Sequence, residues 1–334
     1  MSDKPRRYGL LLPHFGEHAS LENIAEGAKL AERLGFDSMW ARDHLIFHPH
    51  GMEGQDRTHL DPLSVLATVG ALTTRMILGT GSLIPYRHPI QLAGQLASMS
   101  HLFGERLIAG FGLGTFDHEF SAIGLGDAVR PELLEEQVGI LRRLWTGDAI
   151  DHAGKYYAFT DVDIHPSPRG ELPIWYCGNT LAAVRRTVEY CDGFMPGRIT
   201  LPTFALRVKR LRRLAREAGK PVPNAGAIPI TSPGRTREAA AAKVNVAGMC
   251  DDANKRTEWV LPASGRFETA DDLDGALLYG PPDQIADSVR RYHDAGLDHL
   301  VFDLRFRFDE WMENVQLLGE EVLPILRKLP VAAG

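Results

Sequence analysis

Met76-Ile77-Leu78-Gly79-Thr80-Gly81-Ser82-Leu83-Ile84 is an uninterrupted run without a single charge. Pro89 follows, then apolar residues at helical spacing to about Leu102, a Gly104-Glu105 break, and a second run, Arg106-Leu107-Ile108-Ala109-Gly110-Phe111-Gly112. A strand buried on both faces reads as a continuous apolar stretch, and a proline is well placed in the first turn of a helix. The segment therefore reads as strand, helix, strand, the unit of a parallel sheet.

The same alternation extends in both directions. Strands are predicted at Tyr8–Leu12, Asp37–Ala41, Met76–Ile84, Arg106–Gly112, Pro173–Cys177, Gly193–Pro196, Ala227–Thr231 and His299–Leu304. The helices between them carry recognisable start and stop signals. Ser20 caps a helix that ends at Gly35, and Asp61-Pro62 opens another. Further helices are read at Pro131–Trp145, Leu181–Tyr190, Thr203–Ala218, Pro281–Ala295 and Glu310–Leu326. Eight such units predict an α/β chain folded as a (β/α)8 TIM barrel, which takes about 250 residues. The remaining length goes into loop insertions at His44–Leu60, Thr115–Arg130, Thr146–Leu172 and Asn245–Tyr279, the third holding a small hairpin around Gly154–Phe159. No composition break marks a linker, so residues 1–334 read as a single domain.

Composition narrows the class. The chain has 44% hydrophobic and 24% charged residues and a formal charge of −6, values of an ordinary globular protein with no pull toward nucleic acid. Cys177, Cys191 and Cys250 are an odd, sparse set that suits a reducing compartment. No run reaches the ~20 apolar residues of a membrane span, and the N-terminal apolar stretch is cut short by Pro13. The expectation is a cytoplasmic protein without membrane or nucleic-acid partners. The 33 glycines are in excess of the usual ~7% and call for an explanation beyond turns.

In a barrel of this kind the chemistry sits at the C-terminal ends of the strands. Gly110-Phe111-Gly112-Leu113-Gly114 after the fourth strand reads either as backbone lying against a planar cofactor or as a strand leaving room for its neighbours. It is no dinucleotide fingerprint, because the third glycine is misplaced and no helix opens behind it. Cys177-Gly178-Asn179-Thr180 stands between a strand and a helix, where free N–H groups suit an anion, although Thr180 could be a plain N-cap. Asp43-His44 ends the second strand, and an imidazole beside an acid there suits proton transfer. His48, His50 and His59 crowd the next loop and raise the alternative of a metal-dependent barrel hydrolase. The His48-Pro49-His50 spacing falls on the wrong loop for that chemistry, and no metal site is expected. The basic helix Thr203–Gly219 reads as a solvated outer face over an apolar stripe.

Three blocks carry a family likeness. They are Ala31-Glu32-Arg33-Leu34-Gly35-Phe36-Asp37 with Trp40-Ala41-Arg42-Asp43-His44; Leu78-Gly79-Thr80-Gly81 through Tyr86-Arg87-His88-Pro89 to Gly112-Leu113-Gly114 and Glu119-Phe120; and Pro173-Ile174-Trp175-Tyr176-Cys177-Gly178 with Asp192-Gly193-Phe194. Together they resemble the bacterial luciferase-like superfamily of flavin- and deazaflavin-dependent oxidoreductases. The resemblance implies a barrel that binds reduced FMN or coenzyme F420 and acts on a small organic substrate, by flavin-peroxide monooxygenation or by hydride transfer. The second block is most similar to the deazaflavin branch. It also implies a cis peptide at Gly81–Ser82, cofactor contacts from Thr80, Gly81, Ser82, Gly112 and Gly114, and a phosphate end at Cys177, Gly178, Asn179 and Thr180. Asp43 and His44 fall at the catalytic position. Relatives of this kind tend to be homodimers, and an FMN enzyme would need a separate flavin reductase. Thr115-Phe116 stands where some deazaflavin enzymes carry an acid, which leaves His44 as the catalytic candidate. A non-catalytic flavin-binding relative is the remaining alternative.

Overall fold

The computed structural model describes residues 5–329, and the two ends of the 1–334 assignment lie outside them. Eight parallel strands close into a barrel in chain order: Arg7–Leu11, Ser38–Ala41, Ile77–Thr80, Leu107–Phe111, Ile174–Tyr176, Gly193–Phe194, Asn224–Ala227 and His299–Phe302, the last pairing with the first. With helices between the strands, this is the (β/α)8 TIM barrel expected from the alternation.

The helix signals work as local chemistry requires. The Ser20 side chain accepts from Asn23 N–H, Gly35 ends that helix with φ 93°, and Asp61 accepts from Ser64 N–H ahead of Pro62. A hairpin of Ile150–Ala153 and Ala158–Val162 occupies the third insertion. Among the described residues no helix is long and apolar enough to cross a membrane.

Large rings fill the barrel interior. Trp40 and Trp175 lie 5.9 Å apart, centroid to centroid. Trp40 Nε1 donates to Ser38 Oγ at 2.8 Å, and that hydroxyl meets His299 Nε2 at 2.7 Å. Two indoles fit inside a closed eight-strand barrel because the facing positions carry no side chain. A Cβ on Gly79 would enter the Trp40 ring, one on Gly193 the Trp175 ring, one on Gly226 the Met195 side chain, and one on Gly9 the Ser38 hydroxyl. Higher up, a Cβ on Gly110 would strike the Thr80 carbonyl, and one on Gly112 the Ser82 hydroxyl. These six glycines are thus a packing requirement of the barrel wall and make room for protein atoms.

Several boundaries differ from expectation. The seventh strand is Asn224–Ala227, not Ala227–Thr231. Ile228-Pro229 interrupts the run, and proline has no N–H for the ladder. Ile230–Pro233 instead pairs in parallel with Leu277–Gly280, outside the barrel. The third strand stops at Thr80, and the Gly81–Ser82 peptide that follows is cis, as the family resemblance implied. The final helix over Glu310–Leu326 is segmented: a 3-10 turn at Arg305–Glu310, α-helix at Trp311–Leu317, a π-helical turn at Leu318–Val322, and α-helix again from Leu323. The basic helix runs over Leu201–Glu217, and its Arg207 is buried rather than solvated.

Replacing Gly79 by Ala forces a Cβ into the Trp40 indole. We expect Gly79→Ala to destabilise by about 1–3 kcal/mol, the usual range for overpacking a core. Denaturant unfolding of the variant at wild-type stability would remove the interior packing argument.

Candidate active site

The C-terminal ends of the strands surround a cavity of about 360 Å³. Its wall follows from the interior by strand periodicity, since residues two apart share a face. Two positions beyond Gly9, Trp40, Gly79, Gly110, Trp175, Gly193, Gly226 and Val301 stand Leu11, Arg42, Gly81, Gly112, Cys177, Met195, Ile228 and Asp303, and all eight line the cavity. Of the residues expected to touch a cofactor, Gly81, Ser82, Gly112, Gly114, Cys177, Gly178, Asn179 and Thr180 line it. Thr80 does not. Its hydroxyl donates to Gly110 C=O at 2.9 Å and accepts from Gly110 N–H at 2.8 Å, tying the third strand to the fourth. Backbone and small side chains thus form the wall on this side, which fits a flat heterocycle.

The two residues ending the second strand have different surroundings. Asp43 is buried, accepts from Ile84 N–H at 3.1 Å, and is held in a fork by Arg87, whose Nη2 reaches Asp43 Oδ1 at 3.0 Å and Asp61 Oδ2 at 2.9 Å. Burial raises the Asp43 pKa, and the Arg87 guanidinium opposes it. This carboxylate is committed to anchoring the Tyr86-Arg87 segment. His44 lines the cavity and puts Nδ1 3.3 Å from Glu119 Oε2. An ionised carboxylate only accepts, so Nδ1 is the donor in this contact.

Glu119 is the acid that the sequence reading did not single out. It lies in the short helix Asp117–Ala122 within an insertion read as loop. Its side chain is fully buried, and Oε1 accepts from Leu45 N–H at 2.7 Å, Ile46 N–H at 3.1 Å and Tyr86 O–H at 3.2 Å. Burial alone would raise its pKa, but the His44 and backbone donors outweigh that and pull it below the ordinary value. Its one signal in the sequence is Glu119-Phe120 within the second block.

The expected phosphate end is already engaged. Thr180 caps Ala183 N–H at 3.1 Å. Asn179 Nδ2 donates to Arg198 C=O at 3.1 Å and Oδ1 accepts from Gly197 N–H at 3.1 Å. Leu181 N–H, at the first turn of the helix, is taken at 2.8 Å by Glu258 from the fourth insertion. Arg207 reinforces this closure, donating to Asn179 C=O at 3.1 Å and Glu258 C=O at 2.8 Å. Opposite charges meet on another wall. Glu53 accepts from Arg42 Nη1 at 2.8 Å and Arg305 Nη1 at 2.6 Å, and Arg305 Nε donates to Asp303 at 2.8 Å. Flanked by two guanidiniums, Glu53 is driven far below the carboxylate range despite its burial.

Two of the loop histidines, His50 and His59, pack on the His44 ring with centroids 5.7 and 5.4 Å away, as aromatic contacts. His48 stacks on His118 with centroids 4.3 Å apart, His50 on Phe116 at 5.1 Å, and His59 packs edge-on against His14 and His44. Among the described residues no three His, Cys, Asp or Glu side chains are grouped to hold a metal ion. The geometry gives the hydrolase alternative no support.

Barrel, cavity and His44–Glu119 pair describe a TIM-barrel enzyme with a backbone-walled ligand site. The family profile of the luciferase-like monooxygenases matches residues 7–299. The chain belongs to that family, and the oxidoreductase class expected from the sequence stands with it. Among curated proteins it is similar to the F420-dependent glucose-6-phosphate dehydrogenases of Microbacterium testaceum and Nakamurella multipartita. The first is 28% identical over 94% of this chain and 97% of the relative, the second 30% identical over the same shares. The crystal structure of monooxygenase RslO1 from Streptomyces bottropensis superposes with a TM-score of 0.75 at 24% identity, covering 95% of this chain and 99% of that one.

Burial lowers the pKa of His14 to about 4, of His50 to about 3 and of His59 to about 2, so all three are neutral in the fold. The unfolded chain takes up these protons near pH 6.5. Their contribution to stability is complete above about pH 6.5 and declines as pH falls below it, by up to about 1.4 kcal/mol per pH unit for each group. The melting temperature should fall from pH 7.5 to pH 5, before ordinary carboxylates titrate. A flat profile over that interval would contradict the neutral cluster.

Proposed function

We propose that the chain is a coenzyme F420-dependent oxidoreductase that moves a hydride between the deazaflavin and a small organic alcohol or carbonyl compound, with His44 handling the proton. The His44–Glu119 pair at the backbone-walled cavity carries this reading, and the two dehydrogenase relatives support the choice of coenzyme. Gly81, Ser82, Gly112, Gly114, Cys177 and Gly178 would flank the ring, and Asn179 and Thr180 would stand near the polar end. When bound, the deazaflavin supplies a carbon that accepts or returns the hydride.

The chain's own residues manage the proton. As the substrate C–H electron pair leaves with the hydride, the O–H proton passes to His44 Nε2. The Glu119 carboxylate stabilises the imidazolium that forms. Leu45 and Ile46 N–H hold Glu119 in place, which fixes the imidazole orientation from behind. Asp43 acts one step removed, by clamping Arg87 and Ile84 and so the chain leaving the cis peptide. The barrel interior beneath the cavity is packed with indole rings, which exclude water from below.

Fluorescence titration with F420 and with FMN tests the coenzyme assignment, and we expect F420 to bind more tightly. Tighter FMN binding with oxygen consumption would replace hydride transfer by monooxygenation served by a separate flavin reductase. Binding of FMN without either reaction would make the chain a non-catalytic flavin binder. With a panel of sugar phosphates and simple secondary alcohols, His44→Ala should lower kcat about 10²–10⁴-fold. Glu119→Gln should lower kcat with little change in KM, because the imidazolium loses its counter-charge. An unchanged kcat would detach Glu119 from the proton transfer.

The working unit is taken as the whole chain acting as one domain in the cytoplasm, as a homodimer, with no nucleic-acid or membrane partner. The outer helices Pro62–Leu72 and Pro89–Phe103 support the dimer. Neither contains Asp, Glu, Lys or Arg, and Leu72 and Leu102 are exposed on them. Helix Leu201–Glu217, in contrast, carries a dense row of arginines and lysine. Sedimentation should show a dimer that Leu102→Glu dissociates, and a monomeric wild type would refute it.

A further inference from the structure

We infer that the N-terminal end of the barrel holds a second small-molecule site, which takes an amphiphilic monoanion: a carboxylate on an apolar body. The cavity there has a volume of about 480 Å³, against about 360 Å³ at the candidate active site. Both fall within the roughly 300–1,000 Å³ of small-molecule pockets. The two cavities sit at opposite ends of the same strands. Ala225, early in the seventh strand, and Asp298, just ahead of the eighth, line the second one. Ile228 and Asp303, just past the other ends of those strands, line the first. The inference is therefore independent of the coenzyme assignment.

Much of the lining is apolar. Val208 and Leu211 of helix Leu201–Glu217 contribute one part, and Pro221-Val222-Pro223 contributes another. Val222 is 40% exposed, an apolar side chain left at the rim. The prolines on either side of it have fixed φ and no N–H, so this edge is stiff and offers few polar groups.

The charge on the site comes from the same helix. Arg212 and Arg216 stand four and eight residues after Val208, on one helical face. Neither has a carboxylate partner among the described residues. Arg212 has a single long contact, from Nη2 to Gly296 C=O at 3.5 Å, and its guanidinium lies where a Cβ on Gly296 would strike it. Arg216 makes no side-chain hydrogen bond or ion pair among the described residues. Other cations of the helix are committed: Arg207 to the carbonyls of Asn179 and Glu258, and Arg213 to Glu217 at 3.0 Å. The acid in the lining, Asp298, is engaged as well, accepting from Ala225 N–H at 2.9 Å. Two guanidiniums against one carboxylate leave an excess of one positive charge, which a monoanion neutralises. A guanidinium presents two parallel N–H groups to a carboxylate, and the apolar lining removes the attached body from water.

Octanoate is the probe, with 1-octanol as the uncharged body and acetate as the bare charge. By calorimetric titration we expect one octanoate per chain, with octanol and acetate weaker by about tenfold or more. Val222→Asp puts a like charge at the exposed rim, and Arg216→Met removes a cation while keeping the stem. Melting curves show that the variants remain folded. Each should weaken octanoate by about tenfold or more, and Arg216→Lys should recover part of the loss. Wild-type octanoate affinity in both folded variants would overturn the inference, as would a wild type that binds no octanoate. Octanol binding as tightly as octanoate would reject the anion. F420 titration of the same variants reads the other cavity, and its affinity should not change. Loss of octanoate and F420 binding together would place octanoate in the active site and overturn the second site. A wild type that binds octanoate but not F420 would count against the proposed function alone.

Discussion

Two indoles inside a closed barrel set the terms for the rest of the molecule. Trp40 and Trp175 lie within contact of each other and of the His299 imidazole, in a space lined by strands. An eight-strand barrel has an interior just wide enough for side chains to fill. Rings of this size are accommodated only if the facing strands contribute nothing beyond backbone, and Gly79, Gly193 and Gly226 do so. The interior is therefore solid and asymmetric, with the large groups on the second, fifth and eighth strands.

That layer also decides where the ligand can go. Side chains repeat every two residues along a strand, so the interior layer and the cavity wall are successive layers of the same eight strands. The small residues continue upward on the third and fourth strands, through Gly81 and Gly112, while the second and eighth end in Arg42 and Asp303. One side of the cavity is backbone and the other is charge. The polarity of the site thus follows from the register that places Trp40 inward, since Arg42 stands two residues beyond it on the same face.

The barrel was legible because its evidence is local. Apolar runs, proline-opened helices and terminal glycines each act over a few residues, and they located seven of the eight strands, the seventh being displaced past the Pro229 interruption. The cavity-lining positions were legible for the same reason, since strand ends are counted along the chain. Glu119 was not. It acts on His44 from 75 residues away, inside a helix too short to show a period. The glycines illustrate an ambiguity of another kind. A missing side chain records that something lies close, but whether that is an indole, a carbonyl or a ligand is fixed by the partner strand. Likewise, Gly178-Asn179-Thr180 has the residues of an anion site, and only the fold shows that Glu258 already closes the helix start.

The insertions supply what the barrel cannot. Glu53, Asp252, Arg256 and Glu258 come from loops and helices outside the eight βα units: Glu53 meets Arg42, Asp252 and Arg256 pair with each other, and Glu258 accepts from Leu181 N–H. Glu53 cancels Arg42 and much of Arg305, so the eighth strand presents a closed ion network rather than a free cation. Asp252 pairs with Arg256 at 2.8 and 3.1 Å and stands 3.8 Å from Arg198. A buried ion pair gains little net stability over a well-packed apolar substitute. These insertion charges therefore matter less for holding the fold together than for fixing the electrostatics of the cavity mouth.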